Sequence, residues 1–154
     1  MFRIDRECLG EHSLPETREV ERGAIRKFAQ ALGLANPLHF SSEAARAAGF
    51  RDLLAPPTFA ITLLSWNVPG VQWPAEGVIH GEQTLRLGEP ICAGDVITVS
   101  GWVDDVKSRR AARGSMHIVS LVSQGFHQWG QEAFWAKAVL IVTENEEAPH
   151  ADRR

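Results

Sequence analysis

Hydrophobic positions along this chain change rhythm once, near residue 70. Before that point Ile25, Phe28, Ala29 and Leu32 recur at helical spacing, with Arg26, Lys27 and Gln30 on the opposite side. The pattern predicts an amphipathic helix over residues 23–32, ended by Gly33. A second, short helix is expected over 42–48, with Ser41 or Ser42 as N-cap and Gly49 as its stop. The run from Phe59 to Trp66 is apolar nearly all round, as in a helix buried on most sides, and Pro56 and Pro57 suit its first turn. Residues 17–20 read as a short strand, and residues 1–16 show no sustained periodicity. After Pro69, Gly70 and Pro74 the residues favour β-structure, with strands expected over 78–87, 96–106, 115–127 and 132–143. Ile97, Val99 and Val103 alternate with Thr98, Ser100 and Asp104. Phe134, Ala136, Ala138, Leu140 and Val142 line one face of the last strand.

Helices first, one of them wholly apolar, then four long strands on short connections describe an α+β chain whose antiparallel sheet wraps around a long central helix. That is the hot-dog architecture. The length of 154 residues suits a single domain spanning 1–154, with an N-terminal extension over 1–16 and a polar tail over 144–154. A long strand left at a sheet edge is satisfied by pairing with a second copy, so a homodimer is expected.

Composition narrows the function classes. With 44% hydrophobic and 23% charged residues and no apolar run of membrane-spanning length, a soluble protein without a membrane partner is expected. The charged first residues, Met1 to Glu7, lack the apolar core of a secretory signal, which implies a cytoplasmic location. The formal charge of −3 argues against a nucleic-acid partner. Only Lys107, Arg109, Arg110 and Arg113 cluster, and they read as a solvated hairpin loop or as a contact to ligand phosphates. Cys8 and Cys92 have neither disulfide-framework nor metal-site spacing and read as structural thiols; no metal site is expected. His117 and His127 fall on strands without a partner at a meaningful spacing and read as surface or interface residues. Trp66, Trp73, Trp102, Trp129 and Trp135 read as core or dimer contacts.

The segment with chemical promise is Gly33-Leu34-Ala35-Asn36-Pro37-Leu38-His39, followed by Phe40 to Ala44 and the small residue Ala45. It resembles the Gly-Asp-x-Asn-Pro-apolar-His motif of the MaoC-like dehydratases and (R)-specific hydratases. Further landmarks extend the resemblance over residues 17–143: Val20-Glu21-Arg22-Gly23, Ala47-Ala48-Gly49-Phe50, Ala55-Pro56-Pro57-Thr58-Phe59, Ile79-His80-Gly81-Glu82-Gln83 and Glu89-Pro90-Ile91 with Gly94-Asp95. It implies a substrate carried on coenzyme A or acyl carrier protein, no other cofactor, and interconversion of (R)-3-hydroxyacyl and trans-2-enoyl thioesters. It also implies that His39 is the acid/base, that the Thr58 backbone amide is the oxyanion donor, and that Asn36, Pro57 and His80 line the substrate site. Leu34 occupies the position of the motif's aspartate.

Hydration of an enoyl thioester needs a water deprotonated as it attacks, a proton delivered to the neighbouring carbon and a donor to the enolate oxygen. Leucine supplies none of these. Three readings follow. His39 acts with a carboxylate from elsewhere, Glu43, Glu82 and Asp52 being the candidates, or in a reaction that needs one acid/base group. Alternatively the chain is an impaired subunit that holds the acyl chain for a catalytic partner in a heterodimer. A hot-dog thioesterase is the third reading.

Overall fold

The computed structural model describes residues 1–111 and 114–145. Its centre is a five-stranded, wholly antiparallel sheet in the order β2-β5-β6-β7-β4, where β2 is Glu16–Glu19, β4 Val78–Leu87, β5 Val96–Ala111, β6 Gly114–His127 and β7 Glu132–Asn145. The last four strands are where β-branched and aromatic residues alternate with polar ones. The alternation decides the faces: Ile97, Val99 and Val103 of β5 and Phe134, Ala136, Ala138, Leu140 and Val142 of β7 are all buried. At Gly125 the sheet allows no side chain, because a Cβ there would stand 2.4 Å from the Phe134 ring.

Helix α1, Arg22–Ala31, buries Ile25 and Ala29, and its Phe28 meets Phe59 edge-on at 5.5 Å. Gly33, at φ 67°, turns the chain out of it. Helix α2, Ser42–Ala47, is capped by the Ser41 hydroxyl, which accepts from the Ala44 N–H at 3.1 Å.

The segment inside the sheet corrects one expectation. In place of a long central helix, Pro57–Leu63 forms a seven-residue 3-10 helix, and Leu64 is already extended at φ −58°, ψ 144°. The cause is competition for backbone groups. The Thr62 hydroxyl donates to the Phe59 carbonyl at 2.7 Å, while the Ser65 N–H and carbonyl both bond the Ser123 hydroxyl of β6.

The first residues are also more ordered than their lack of periodicity predicts. Strand β1, Arg3–Ile4, pairs with β3, Val71–Gln72, and Phe2 is buried against Trp73 and His117. Lys107, Arg109 and Arg110 lie within β5 rather than in a loop, whereas Arg113 and the tail beyond Asn145 lie outside the described residues.

The core has two parts. One gathers α1 and the 3-10 helix over the start of β5 and of β7; the other packs Phe2 and Val68 on Val103, Leu121, Ala138 and Leu140. The sheet's two edges differ as well. β2 is short and its side chains are charged or polar, whereas β4 runs ten residues and exposes Val78, Ile79 and Leu87. Among the described residues no helix is long and apolar enough to cross a membrane.

Candidate functional site

His39 ends a 3-10 turn, Pro37–His39, set up by the residues before it: the Asn36 side chain accepts from the Leu38 N–H at 3.1 Å, and Pro37 fixes the first backbone angle. Asn36 is therefore built into the loop, although it is exposed. The turn pushes His39 inward to 6% exposure, with Nδ1 2.7 Å from the Leu54 carbonyl oxygen. A carbonyl only accepts, so Nδ1 carries the hydrogen and the neutral ring keeps its lone pair on Nε2. No protein group among the described residues bonds Nε2.

The carboxylates proposed for His39 are elsewhere. Glu43 and Glu82 are exposed. Asp52 is buried but saturated: Arg22 binds it through Nε and Nη2 at 3.1 and 2.7 Å, Arg46 at 3.0 Å, Ser42 at 2.9 Å and the Leu53 N–H at 2.7 Å. The Arg22 bonds hold its carboxyl well below the usual carboxylate range, against the opposing effect of burial. Asp52 thus fastens α1, α2 and the chain behind His39. Leu34, at the position of the motif's acid, is 36% exposed.

Beside Leu54 opens a cavity of about 220 Å3, walled by Phe50, Pro57, Leu87, Pro90, Ile91 and Ala133 among others. Pro57, one of the residues expected to line a substrate site, lies in this wall. Thr58 is exposed, and from its place in the first turn its N–H has no carbonyl of its own helix to bind, which suits an oxyanion donor. His80 stands apart. It pairs with Leu140, seven residues along β4 from Leu87 and so about 23 Å away, and lies edge-on to Trp66.

The cavity's far wall, residues 88–91, is held from behind by a group that sequence reading missed. Arg51 binds Asp95 through two nitrogens, at 3.2 and 2.6 Å, and the Pro90 carbonyl at 3.1 Å. The Asp95 contact raises the guanidinium's pKa. His127, expected at the surface or an interface, is 2% exposed within the chain: its Nε2 donates to the Glu89 carbonyl at 3.2 Å, its ring stacks on Trp129 at 4.4 Å, and its Nδ1, which makes no hydrogen bond, lies 3.5 Å from Asp95. Apart from Trp129, these partners lie 32 to 44 residues from one another along the chain, beyond any local pattern. Cys92 is fully buried, and among the described residues no three His, Cys, Asp or Glu side chains gather as metal ligands.

A five-stranded antiparallel sheet around a short buried helix, with an Asn-Pro-x-His turn whose histidine bonds Leu54, three residues before that helix, defines a hot-dog protein of the MaoC-like dehydratase type. The match is direct. The family described as FAS1-like, dehydratase domain region, covers residues 7–134, and the chain belongs to it. Among relatives, a UPF0336 protein of Saccharopolyspora erythraea is 34% identical over 157 residues, covering 97% of each chain. One from Thermobifida fusca is 39% identical over 112 residues, 68% of this chain and 74% of that one. Among solved structures, the MaoC-like dehydratase of Rhodospirillum rubrum aligns with a TM-score of 0.68 at 24% identity, over 90% of this chain and 94% of that one. The HadBC (3R-hydroxyacyl-ACP dehydratase) complex of Mycobacterium tuberculosis gives 0.66 at 22%, over 92% and 94%. The R-hydratase PhaJ1 of Pseudomonas aeruginosa gives 0.66 at 22%, over 95% and 92%. At these identities the structures establish the shared fold.

Proposed function

We propose that this chain is the acyl-binding subunit of a hot-dog dehydratase or hydratase, with its own acid/base pair incomplete and completed by a partner subunit. Its substrates are 3-hydroxyacyl or 2-enoyl thioesters of coenzyme A or acyl carrier protein. The observation that carries this reading is His39: the ring is turned and tautomerically set by Leu54, yet no carboxylate among the described residues reaches it. One positioned acid/base group contributes roughly 10²- to 10⁴-fold, so a site with half the pair is a poor catalyst alone. The long β4 edge, with Val78, Ile79 and Leu87 exposed, supports pairing with a second hot-dog subunit. Two structural neighbours, the HadBC and ChsH1-ChsH2 complexes of Mycobacterium tuberculosis, are themselves assemblies of subunits, which is consistent with a partner subunit.

One observation favours a second reading. The free Nε2 lone pair of His39 is the state a general base needs, and it would let the homodimer hydrate enoyl thioesters unaided. The thioesterase reading gains nothing here, since it too requires a carboxylate at the site. Purification of the tagged chain from its own cells separates the first two. Co-purification of a second hot-dog chain, with hydratase activity in the complex and none in this chain alone, is expected; a homodimer that hydrates crotonyl-CoA at full rate supports the alternative.

A further inference from the structure

Two cavities lie at opposite ends of β4. The one beside Leu54, the residue that holds His39, is walled by Leu87 and Gly88 at the strand's end. The other, of about 260 Å3, lies at the strand's start between Trp66, Trp73, Val78, His80 and Leu140. Within one chain His80 and Leu87 are seven residues apart, about 23 Å, too far for one reacting group to touch both ends.

The strand between them is bare. From Val78 to Glu82 every residue is exposed, on both faces, and no strand among the described residues covers the outer edge. An edge of this kind takes another strand. The bulge decides how. His80 pairs with Leu140 and Leu85 with Ala136, both buried, so His80 and Leu85 face the covered side of the sheet. One has an even number and the other an odd one, because the bulge between His80 and Glu82 shifts the alternation.

Directly opposite residues of antiparallel strands point to the same side. End-to-end antiparallel pairing of β4 with the equivalent strand of a second hot-dog subunit sets Val78 opposite Leu87 and His80 opposite Leu85. The bulge gives each of these pairs a common face. The pairing therefore brings the Trp66–His80 cavity of one subunit against the Leu87–Gly88 cavity of the other, one strand spacing of about 4.8 Å away. His80 is the only ionisable side chain lining its cavity, where it stands edge-on to the 43%-exposed Trp66.

We propose that Trp66, Trp73 and His80 belong to the thioester site of the partner subunit, with His80 hydrogen-bonding the substrate bound there. This rests on the paired dehydratase proposed above and adds which residues this chain supplies to it. His80 stands apart from the cavity of its own chain because it serves the cavity of its neighbour.

The test uses the complex of this chain with its co-purified hot-dog partner. A benzophenone photo-cross-linker placed at position 80 is expected to join the two chains, at partner peptides that border its own Asn-Pro-x-His turn or the end of its equivalent strand. His80→Ala is expected to lower kcat/KM of the complex for enoyl-CoA about fivefold, the value of one hydrogen bond, with the complex intact by size exclusion. His80→Asn, which keeps a donor, is expected to recover part of that loss. Cross-links confined to this chain, or an unchanged kcat/KM in His80→Ala, overturn the inference alone. A chain that purifies without any second subunit, its own copy included, overturns the paired reading with it.

Discussion

Two histidines are buried among the described residues, and their surroundings are near opposites. His39 sits in the family's motif, anchored by one carbonyl through Nδ1, with no carboxylate at hand. His127 sits outside the motif, anchored by one carbonyl through Nε2, with Asp95 3.5 Å from its other nitrogen. The second has a carboxylate nearby, though its Nδ1 makes no hydrogen bond, and its side chain is wholly enclosed, covered by Trp129 with Arg51 4.5 Å above that ring. A histidine and an acid side by side make a catalytic pair only where substrate can reach them. Here the enclosed histidine and its neighbouring acid brace a cavity wall, and the histidine beside the cavity has no acid.

The contrast is broken most forcefully at Asp95. Asp95→Ala removes the acceptor of Arg51 and of the buried Cys92 N–H. A loss of about 3 kcal/mol in unfolding free energy by urea titration is expected, because two charge-assisted bonds from Arg51 are lost and the buried Cys92 N–H is left without an acceptor. An effect below about 1 kcal/mol would mean that Arg51 and His127 do not depend on it.

Asp52, on the His39 side, is next. Its Arg22 and Arg46 partners are more than half exposed and remain solvated when it is removed, so Asp52→Asn should cost less, about 2 kcal/mol. Because folding lowers the Asp52 pKa, its contribution is present above the unfolded carboxyl's pKa, near 4, and is lost as pH falls from there towards the folded value. Acid titration of stability in the wild type and Asp52→Asn should converge below that pH and separate above it. Parallel curves would show that the ion pairs are not formed.

His39→Ala ranks last in stability. It forfeits one hydrogen bond and opens little core, so about 1 kcal/mol is expected by thermal or urea denaturation. A larger loss would make His39 a structural residue like His127.

How much of this was legible in the sequence follows the range of the forces involved. β7 was expected over 132–143 and forms over Glu132–Asn145, because period-two alternation is written residue by residue. The Asn36-Pro37 turn that positions His39 was legible for the same reason. What could not be read were bonds between residues distant along the chain. The apolar run after Pro57 satisfies a helix pattern, and only the Ser123 hydroxyl, 58 residues on, decides that it stops after two turns. The Asp95–His127 contact and the four-partner hold on Asp52 have no periodicity at all, so Asp52 looked available to His39 until its partners were placed.

The central claim is that His39 lacks only its acid. The direct test is hydration of crotonyl-CoA and longer enoyl-CoAs by the isolated chain and by its Leu34→Asp variant, with circular dichroism confirming the fold. The wild type should remain at background, and Leu34→Asp should raise the rate by about two orders of magnitude, the lower end of what one positioned acid/base group contributes. Full hydratase activity in the wild type, abolished by His39→Ala, would contradict the account.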